Sequence, residues 1–486
     1  MGVLRSHREG GHASADSAED TKGTTAVKPW GSTNDERRRL ARHAPRNVLL
    51  SKESRHLFFR RGSEAPCTGG LVGYVKVNRS FSTLVLFALY LICLVTPTWA
   101  DLTVGLSAYE RHEYQTAFKE FRQLADQGDV SAQFMLGYMY AHGEGLLQDY
   151  AEASRWFLQA ATKGNREAQF NLGVLFDKGL GVRQNYAEAV RWFREAADQG
   201  YVAAQLNLAL QYTRGHGVPQ DYAEGARWFR RAADQGNLVA QVNLGFLHTK
   251  GLGVPQNYAE AARWFRPAAD QGNDRAQFNL GLMYAQGHGV PQNYIKARQW
   301  YELAADQGNE FAQVNLALLY AKGLGVPQNY TEAARWFRQA AQKGNATARA
   351  HLGVMYAKGH GVSQDYREAE RWFRLGADQG NATAQLNLGL LYARGQGVRQ
   401  DDREAGRWFR LAADQGEVTA QLNLGLLYAN ASGLPQDYVQ AYFWFSRAAA
   451  QGHEDALELR SAVASKMTPV QIAEAEQLAN GSRAKK

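Results

Sequence analysis

The amino-acid sequence predicts an all-α fold, a superhelical solenoid of about nine helix pairs of 36 residues with capping helices at both ends. Tryptophan recurs every 36 residues from Trp156 to Trp444, and glycine recurs with the same step from Gly128 to Gly452. Each unit also contains two stretches whose apolar residues follow helical spacing. One short helix pair cannot bury such faces alone, whereas stacked pairs can, so the repeat predicts a solenoid.

Residues 1–74 form a leader rich in Arg, Ser, Gly and His, without a sustained apolar period. We expect this leader to be basic and disordered. Its length ahead of the next segment would also be explained by a translation start assigned too early.

Residues 75–100 combine a short basic stretch, an apolar run from Leu84 to Val95 and the small residue Ala100 before Asp101. This pattern is typical of a cleaved signal peptide. Residues 81–100 also approach the roughly 20 residues that span a bilayer, so an uncleaved signal anchor and a buried helix are the alternatives. A cleaved signal predicts a periplasmic or secreted protein, and an anchor predicts attachment to the inner membrane through residues 81–100.

Positive charge is concentrated in the first hundred residues. They contain 15 Lys and Arg and 8 Asp and Glu, whereas residues 101–486 contain 40 and 39, within a formal net charge of +8 for the chain. The larger part is therefore close to neutral, which removes the main electrostatic reason to expect nucleic-acid binding.

The remaining elements follow in order. Residues 101–131 are expected to form an N-terminal capping helix, and residues 132–452 the nine repeats. Helix A of a repeat ends at a glycine such as Gly179, which can adopt the left-handed conformation that closes a helix. Helix B begins after an Asn or Asp such as Asn185, a preferred N-cap. Residues 453–486 are expected to form a C-terminal capping helix and tail, with Thr468 as N-cap.

Two positions depart from the repeat pattern. Pro267 lies inside a helix B, and we expect it to kink that helix and bend the superhelix, at about 3 kcal/mol in a regular helix. The last repeat has Asn430-Ala-Ser-Gly433 where two spaced glycines are expected, so we expect a reshaped turn there.

The repeat motif is carried by Leu172-Gly173, Gly179-Leu-Gly-Val182, Tyr186-Ala-Glu-Ala, Trp192-Phe193, Ala196-Ala197 and Gly200. These residues resemble the Sel-1-like repeat, a relative of the tetratricopeptide repeat, and the resemblance covers residues 105–452. It implies a right-handed α/α superhelix that acts as an adaptor in protein complexes, with exported bacterial members associated with the envelope and with signalling. A cysteine-rich subgroup is linked to β-lactam binding or hydrolysis, but this chain has no cysteine after Cys93.

The candidate binding surface is a row of polar residues at one helix A position, followed seven residues later by a row of cations. The two rows lie within about 20° of each other on a helical wheel. Carboxamides can hold an extended peptide backbone and cations can hold carboxylates, although each Asn can instead bond the neighbouring repeat, and both roles are compatible. The candidate residues are Asn171, Asn207, Asn243, Asn279, Asn315, His351, Asn387, Asn423, Lys178, Arg214, Lys250, Lys322, Lys358 and Arg394.

Other repeated side chains are given structural roles. The tryptophans are expected to pack in the core. A row of glutamines that begins at Gln169 lies on the side opposite the asparagines. We expect these glutamines to form hydrogen bonds between repeats. His216, His288 and His360 occupy equivalent turns 72 residues apart, too far to share one metal ion. The sequence predicts no catalytic residues, no metal site and no cofactor.

These observations predict an exported, non-enzymatic scaffold that binds other proteins or peptides through a concave surface, in bacterial envelope complex assembly or signalling. A β-lactamase-like or cell-wall-active enzyme and a carbohydrate-binding envelope solenoid are the alternatives. Nucleic acid is not an expected partner, and a membrane is one only through an uncleaved signal anchor.

Overall fold

The computed structural model describes residues 101–483, and the predictions for residues 1–74 and 75–100 lie outside this range. Within it the chain forms 22 α-helices and no strand. Two helices come first, nine helix pairs follow with a step of 36 residues, and two helices close the stack. The predicted all-α solenoid of helix pairs is confirmed. No helix among residues 101–483 has the length and apolar character needed to cross a bilayer.

The first half of the described chain contains eleven helices. They are α1 Leu102–Glu110, α2 Tyr114–Asp126, α3 Val130–His142, α4 Tyr150–Thr162, α5 Arg166–Lys178, α6 Tyr186–Asp198, α7 Val202–Arg214, α8 Tyr222–Asp234, α9 Leu238–Lys250, α10 Tyr258–Asp270 and α11 Asp274–Gln286.

Eleven more helices complete the described chain. They are α12 Tyr294–Asp306, α13 Glu310–Lys322, α14 Tyr330–Gln342, α15 Ala346–Lys358, α16 Tyr366–Ala377, α17 Ala382–Arg394, α18 Asp402–Asp414, α19 Val418–Asn430, α20 Tyr438–Ala449, α21 Glu454–Ala464 and α22 Pro469–Arg483. From α3 to α20, the odd-numbered helices are helix A of a repeat and the even-numbered ones helix B.

The predicted helix ends are present in the structure. In α5 the side chain of Asn165 accepts a hydrogen bond from the Ala168 N–H, and Gly179 closes the helix at φ 70° and ψ 36°. The side chain of Asn185 accepts from the N–H groups of Ala187 and Glu188 at the start of α6. Capping by Asn and left-handed Gly therefore fixes where each helix of the pair begins and ends.

Close packing within a pair depends on a small residue in helix A. The buried ring of Phe193 in α6 lies against Gly173 in α5, and a Cβ atom added to Gly173 would lie 2.7 Å from that ring. Most repeats place a buried Phe opposite a helix A Gly or Ala in this way. The missing side chain lets the two helices of a pair approach closely.

The glutamine row joins successive helices, which confirms the predicted role. Gln169 donates a hydrogen bond from Nε2 to the carbonyl of Ala161 in α4 at 3.1 Å. Gln199, just after α6, donates from Nε2 to Oε1 of Gln169 at 2.8 Å. One side chain of α5 thus connects three consecutive helices and leaves its own polar atoms paired.

The two ends are more complex than expected. Residues 101–131 contain α1 and α2 instead of one helix, with His112 at φ 62° between them. Helix α21 precedes the expected closing helix and repeats the spacing of helix A. The N–H of Gln471 donates to Oγ1 of Thr468 at 3.3 Å, and the Thr468 N–H donates to Oε1 of Gln471 at 2.9 Å, so the predicted cap of α22 is present.

The two irregular repeats keep the regular helix ends. Helix α10 runs through Pro267 without interruption and has the same 13 residues as its equivalents α8 and α12. The predicted reshaped turn in the last repeat is wrong, because Ala431 adopts φ 57° and ψ 30° and closes α19 as glycine does elsewhere. Stacking of the flanking helices imposes this backbone on a residue that rarely adopts it.

Candidate functional site

Each candidate asparagine donates a hydrogen bond from Nδ2 to the carbonyl four residues earlier in its own helix. Asn243, for example, donates to Val239 at 2.8 Å. None of these bonds reaches the neighbouring repeat, so the structural role differs from the expected one. The same bond occurs at Asn171, Asn207, Asn279, Asn315, Asn387 and Asn423. The bond fixes the orientation of the amide. It does not use Oδ1 or the second Nδ2 hydrogen.

Accessibility divides the asparagine row. Asn171 is fully buried, and its Oδ1 has no partner among the described residues. Asn315 is 9% exposed. The other five are half-buried, with part of the amide open to solvent: Asn207, Asn243, Asn279, Asn387 and Asn423. The accessible surface therefore lies C-terminal to Asn171.

The row is closed at Asn171 by charged and aromatic neighbours. Glu167 is 8% exposed and pairs with Arg166 at 2.9 Å. The Arg166 guanidinium lies 5.8 Å from the ring centroid of Tyr201, which also contacts Phe170. Burial raises the pKa of the Tyr201 phenol to about 12. This tyrosine stays neutral and packs against Phe170. Because Asn171 itself is fully buried, its amide is closed to a partner in this structure.

His351 replaces asparagine in α15. Its ring stacks on Phe337 of α14 with the centroids 4.8 Å apart. Burial, and secondarily the charge of Lys322, lower the pKa of the imidazole to about 4. His351 is therefore neutral at physiological pH and offers a polar, uncharged ring where other repeats offer an amide.

Each candidate cation is the last residue of its helix A, where positive charge interacts favourably with the helix dipole. Lys178, Lys322, Lys358 and Arg394 are exposed, and Lys250 is half-buried. Arg214 is half-buried; burial lowers its pKa, and the neighbouring Asp177 opposes this shift. The structure thus places five of the six predicted cations with room for a partner, whereas Arg214 already lies near a carboxylate.

An apolar row lies between the asparagines and the cations and was missed in the sequence analysis. It consists of the residue three positions after each asparagine, and its half-buried members are Leu210, Phe246, Leu318, Val354, Leu390 and Leu426. Spacings of three and four residues place asparagine, apolar residue and cation along one face of a helix. The signal was present, because every repeat has an apolar residue there, but only the polar rows of this face were considered from the sequence.

A rung is the set of three residues that one helix A contributes: the residue of the asparagine row (His351 in α15), the apolar residue three positions later and the last residue of the helix. The rungs of α7 to α19 together are called the ladder face. The complete rungs with an unburied apolar residue include 243/246/250, 315/318/322 and 387/390/394. The rung of α11 ends in Gln286 and that of α19 in Asn430, so these two lack a cation. Chemically, the ladder face presents amide, apolar and cationic groups in parallel rows.

The turn histidines and the repeat tryptophans pack against other side chains of the stack. His216, His288 and His360 lie against Tyr186, Tyr258 and Tyr330 of the preceding repeat, with centroids 4.8, 4.7 and 4.6 Å apart. Most of the repeat tryptophans are buried, including Trp192 at 3% exposure. Within residues 101–483 no three His, Cys, Asp or Glu side chains are arranged to hold a metal ion.

Comparison with known proteins finds a matching family and solved structures similar to this chain. The Sel1 repeat family matches residues 130–165, 166–201, 202–237, 238–273, 274–309, 311–345, 346–381, 382–417 and 418–453. The chain is similar to the Sel1 repeat protein of Oxalobacter formigenes, with 34% identity, a TM-score of 0.53 and coverage of 64% of this chain and 90% of that one.

A second solved structure is c5321, described as a protective antigen present in uropathogenic Escherichia coli strains and displaying an SLR fold. It shares 35% identity over 83% of this chain and 94% of that one, with a TM-score of 0.47. No curated protein sequence matches the chain.

Proposed function

Because the chain belongs to the Sel1 repeat family, we propose that it is a non-enzymatic scaffold that holds other proteins through the ladder face, outside the cytoplasm, in envelope complex assembly or signalling. Family membership supports protein interaction in general. The observation that carries the specific proposal is the row of amides held in one orientation by their own helices, five of which are partly open to solvent: Asn207, Asn243, Asn279, Asn387 and Asn423.

Fixed amides suit the backbone of an extended protein segment. At Asn243 and Asn279 one N–H is held by the helix carbonyl, so the amide plane is set before a partner arrives. The Oδ1 can accept from a partner N–H, and the second Nδ2 hydrogen can be donated to a partner carbonyl. Since little side-chain freedom is lost on binding, each rung adds a modest contribution, and several rungs add up to useful affinity.

The start of the helical region supports the proposal of export. Helix α1 begins at Leu102, and the Asp101 side chain accepts a hydrogen bond from the Thr103 N–H. Among residues 101–483, the first capped helix therefore has its N-cap directly after Ala100, the expected cleavage position. A protein cut there would keep every helix of the solenoid and its first N-cap.

The test of the ladder face replaces Asn243, Asn279 and Asn387 with Ala in the tagged full chain. We expect this variant to recover less of each co-purifying envelope protein than the unmodified chain, in quantitative mass spectrometry. Asn171→Ala is the matched control, because it removes the same amide and the same helix contact at a buried position. Equal recovery by the triple variant, with unchanged helical circular dichroism, would contradict the proposal.

Two further measurements address export and catalysis. Mass determination of the N-terminus of the chain isolated from the periplasm or medium is expected to give Asp101 as first residue. An intact leader in a wholly cytoplasmic protein would contradict export. Turnover of a chromogenic β-lactam by the purified chain would contradict the non-enzymatic role.

A further inference from the structure

We infer that the ladder face takes an extended protein segment in which acidic and apolar residues recur, one carboxylate meeting the cation of each charged rung. This inference rests on the proposed function and specifies the chemistry of its partner. It depends on three properties of the described residues: unpaired cations, an apolar row beside them, and the spacing of the rungs.

Four cations of the ladder face make no ion pair with any described residue. They are Lys250, Lys322, Lys358 and Arg394, and the ion pairs among the described residues involve other cations. A partner from the same helix is ruled out by sequence, because the residues three and four positions before each of them are apolar. For Lys322 these are Leu319 and Leu318.

Arginines on helix B behave in the opposite way. Arg335 pairs with Glu332 at 2.9 Å, and Arg371 pairs with Glu368 at 3.4 Å, each three residues apart. Equivalent pairs form at Arg155, Arg191, Arg227, Arg263 and Arg407. The arginines at this helix B position are thus neutralised within their own helix, whereas the four helix A cations are left for an outside anion.

The helix dipole explains the position of the helix A cations but does not use up their hydrogen bonds. Lys358, for instance, is the last residue of α15, where its charge faces the helix C-terminus. Its ammonium group has three donors and is exposed. A carboxylate can therefore bind it without displacing an existing partner.

The apolar row argues against a purely polyanionic partner. Phe246, Leu318, Val354 and Leu390 are half-buried and lie one helical turn before the four cations. Apolar side chains of a partner would remove this remaining surface from water, which adds affinity that charge alone does not give. An acidic segment without apolar residues would leave the apolar row exposed to water.

Rung spacing sets the expected period of the partner. Helices α15 and α17, which carry the rungs ending in Lys358 and Arg394, are in direct contact. Packed helices lie about 8–10 Å apart, and one turn of polyproline II chain has three residues and spans about 9 Å, so that every third side chain points to the same side. One acidic residue in every three therefore places a carboxylate at both of the rungs ending in Lys358 and Arg394, and we expect the same period to continue to the rung ending in Lys322.

The test measures binding of a labelled synthetic peptide made of six Glu-Val-Ser triplets to the full chain by fluorescence anisotropy at low salt. Two related peptides replace Glu with Lys or Val with Ser. We expect the Glu-Val-Ser peptide to bind, the Lys-Val-Ser peptide not to bind, and the Glu-Ser-Ser peptide to bind more weakly. Added salt should weaken the binding, since exposed charge pairs are screened.

A matched pair of variants tests the location. Lys322→Gln/Lys358→Gln/Arg394→Gln should lower the affinity about tenfold, from three exposed charge pairs. Arg335→Gln/Arg371→Gln/Arg407→Gln removes the same charge from helix B of the same repeats and should leave the affinity within about twofold. A benzophenone in place of one Val should crosslink to residues 238–394, and crosslinks confined to residues 1–100 would overturn the inference.

Three other outcomes would also overturn it: no binding of the Glu-Val-Ser peptide at millimolar concentration, equal binding of the Lys-Val-Ser peptide, or equal affinity of both triple variants. These outcomes can be distinguished from a failure of the proposed function. If the asparagine variant loses its co-purifying proteins while Lys322→Gln/Lys358→Gln/Arg394→Gln keeps them, the scaffold role stands and the acidic partner is wrong.

Discussion

Gln307 donates a hydrogen bond from Nε2 to Oε1 of Gln277, 30 residues earlier, at 2.8 Å. Gln277 in turn donates to the carbonyl of Ala269 at 3.1 Å. Three consecutive helices, α10, α11 and α12, are therefore joined through one buried side chain. The polar connection repeats along the stack and holds successive pairs in register while the apolar rows supply most of the buried area.

Replacing Gln277 with Leu should destabilise the solenoid by about 1–3 kcal/mol, because the Ala269 carbonyl loses its side-chain donor and Gln307 its acceptor. The urea midpoint followed by circular dichroism measures the change. Gln199→Leu is the control, with a smaller expected loss of stability. Gln199 is exposed and only donates to the buried Gln169, which is the middle residue of the equivalent connection. Equal midpoints for Gln277→Leu and the unmodified chain would show that the bridge contributes nothing.

Tyr301→Phe should stabilise the chain by about 1–2 kcal/mol. The Tyr301 side chain is 1% exposed, and its hydroxyl has no partner among the described residues. A buried hydroxyl without a hydrogen bond costs free energy, whereas the equivalent position in neighbouring repeats is Phe265 or Phe337. Burial also raises the pKa of this phenol, so it stays neutral.

The reciprocal change Phe337→Tyr is the control for Tyr301→Phe and should destabilise by a similar amount. Thermal unfolding of both variants against the unmodified chain gives the comparison. A lower midpoint for Tyr301→Phe would mean that its hydroxyl is satisfied in solution.

Ala431→Gly should stabilise the last repeat by about 1 kcal/mol, because Ala431 holds φ 57° and glycine adopts this conformation without a steric cost. Gly395→Ala makes the opposite change at the equivalent turn, where φ is 64°, and should destabilise. Hydrogen exchange of α19 and α20 measures the effect of Ala431→Gly locally, and that of α17 and α18 the effect of Gly395→Ala. Faster exchange in Ala431→Gly than in the unmodified chain would contradict the expected relief of strain.

The fold could be predicted from sequence because each repeat carries its own boundaries. Asn185 and Gly179 act within a few residues of their positions, so their effect is visible in the sequence itself. The turn at Ala431 could not be predicted, since its conformation is imposed by packing of α19 and α20 against the rest of the stack. Local sequence favours a different turn there, and tertiary contacts overrule it.

The ladder face could be predicted only in outline. The positions of the Asn and cation rows follow from a period of 36, but their accessibility does not. Asn171 and Asn243 occupy the same position of the repeat, yet one is fully buried and the other is half-buried. The surroundings of Asn171 include Glu167 and Tyr201, which no other repeat has at the equivalent positions.

His351→Asn should remove part of the acid sensitivity of the solenoid. The folded-state pKa of His351 is about 4, below the ordinary 6.5, so between these values the unfolded chain binds more protons at this site than the folded one. Stability from this residue is therefore full above pH 6.5 and falls as the pH drops toward 4. A difference of this size corresponds to about 3 kcal/mol.

Urea midpoints of His351→Asn and the unmodified chain, measured from pH 7.5 to 4, test this expectation. The carboxylates shared by both chains cancel in the difference, so the variant should gain relative stability steadily below pH 6.5. Asn is already the residue of the neighbouring repeats, for example Asn315 and Asn387, which makes a packing defect at neutral pH small. A difference that does not change with pH would mean that His351 is hydrated enough to titrate normally in the folded chain.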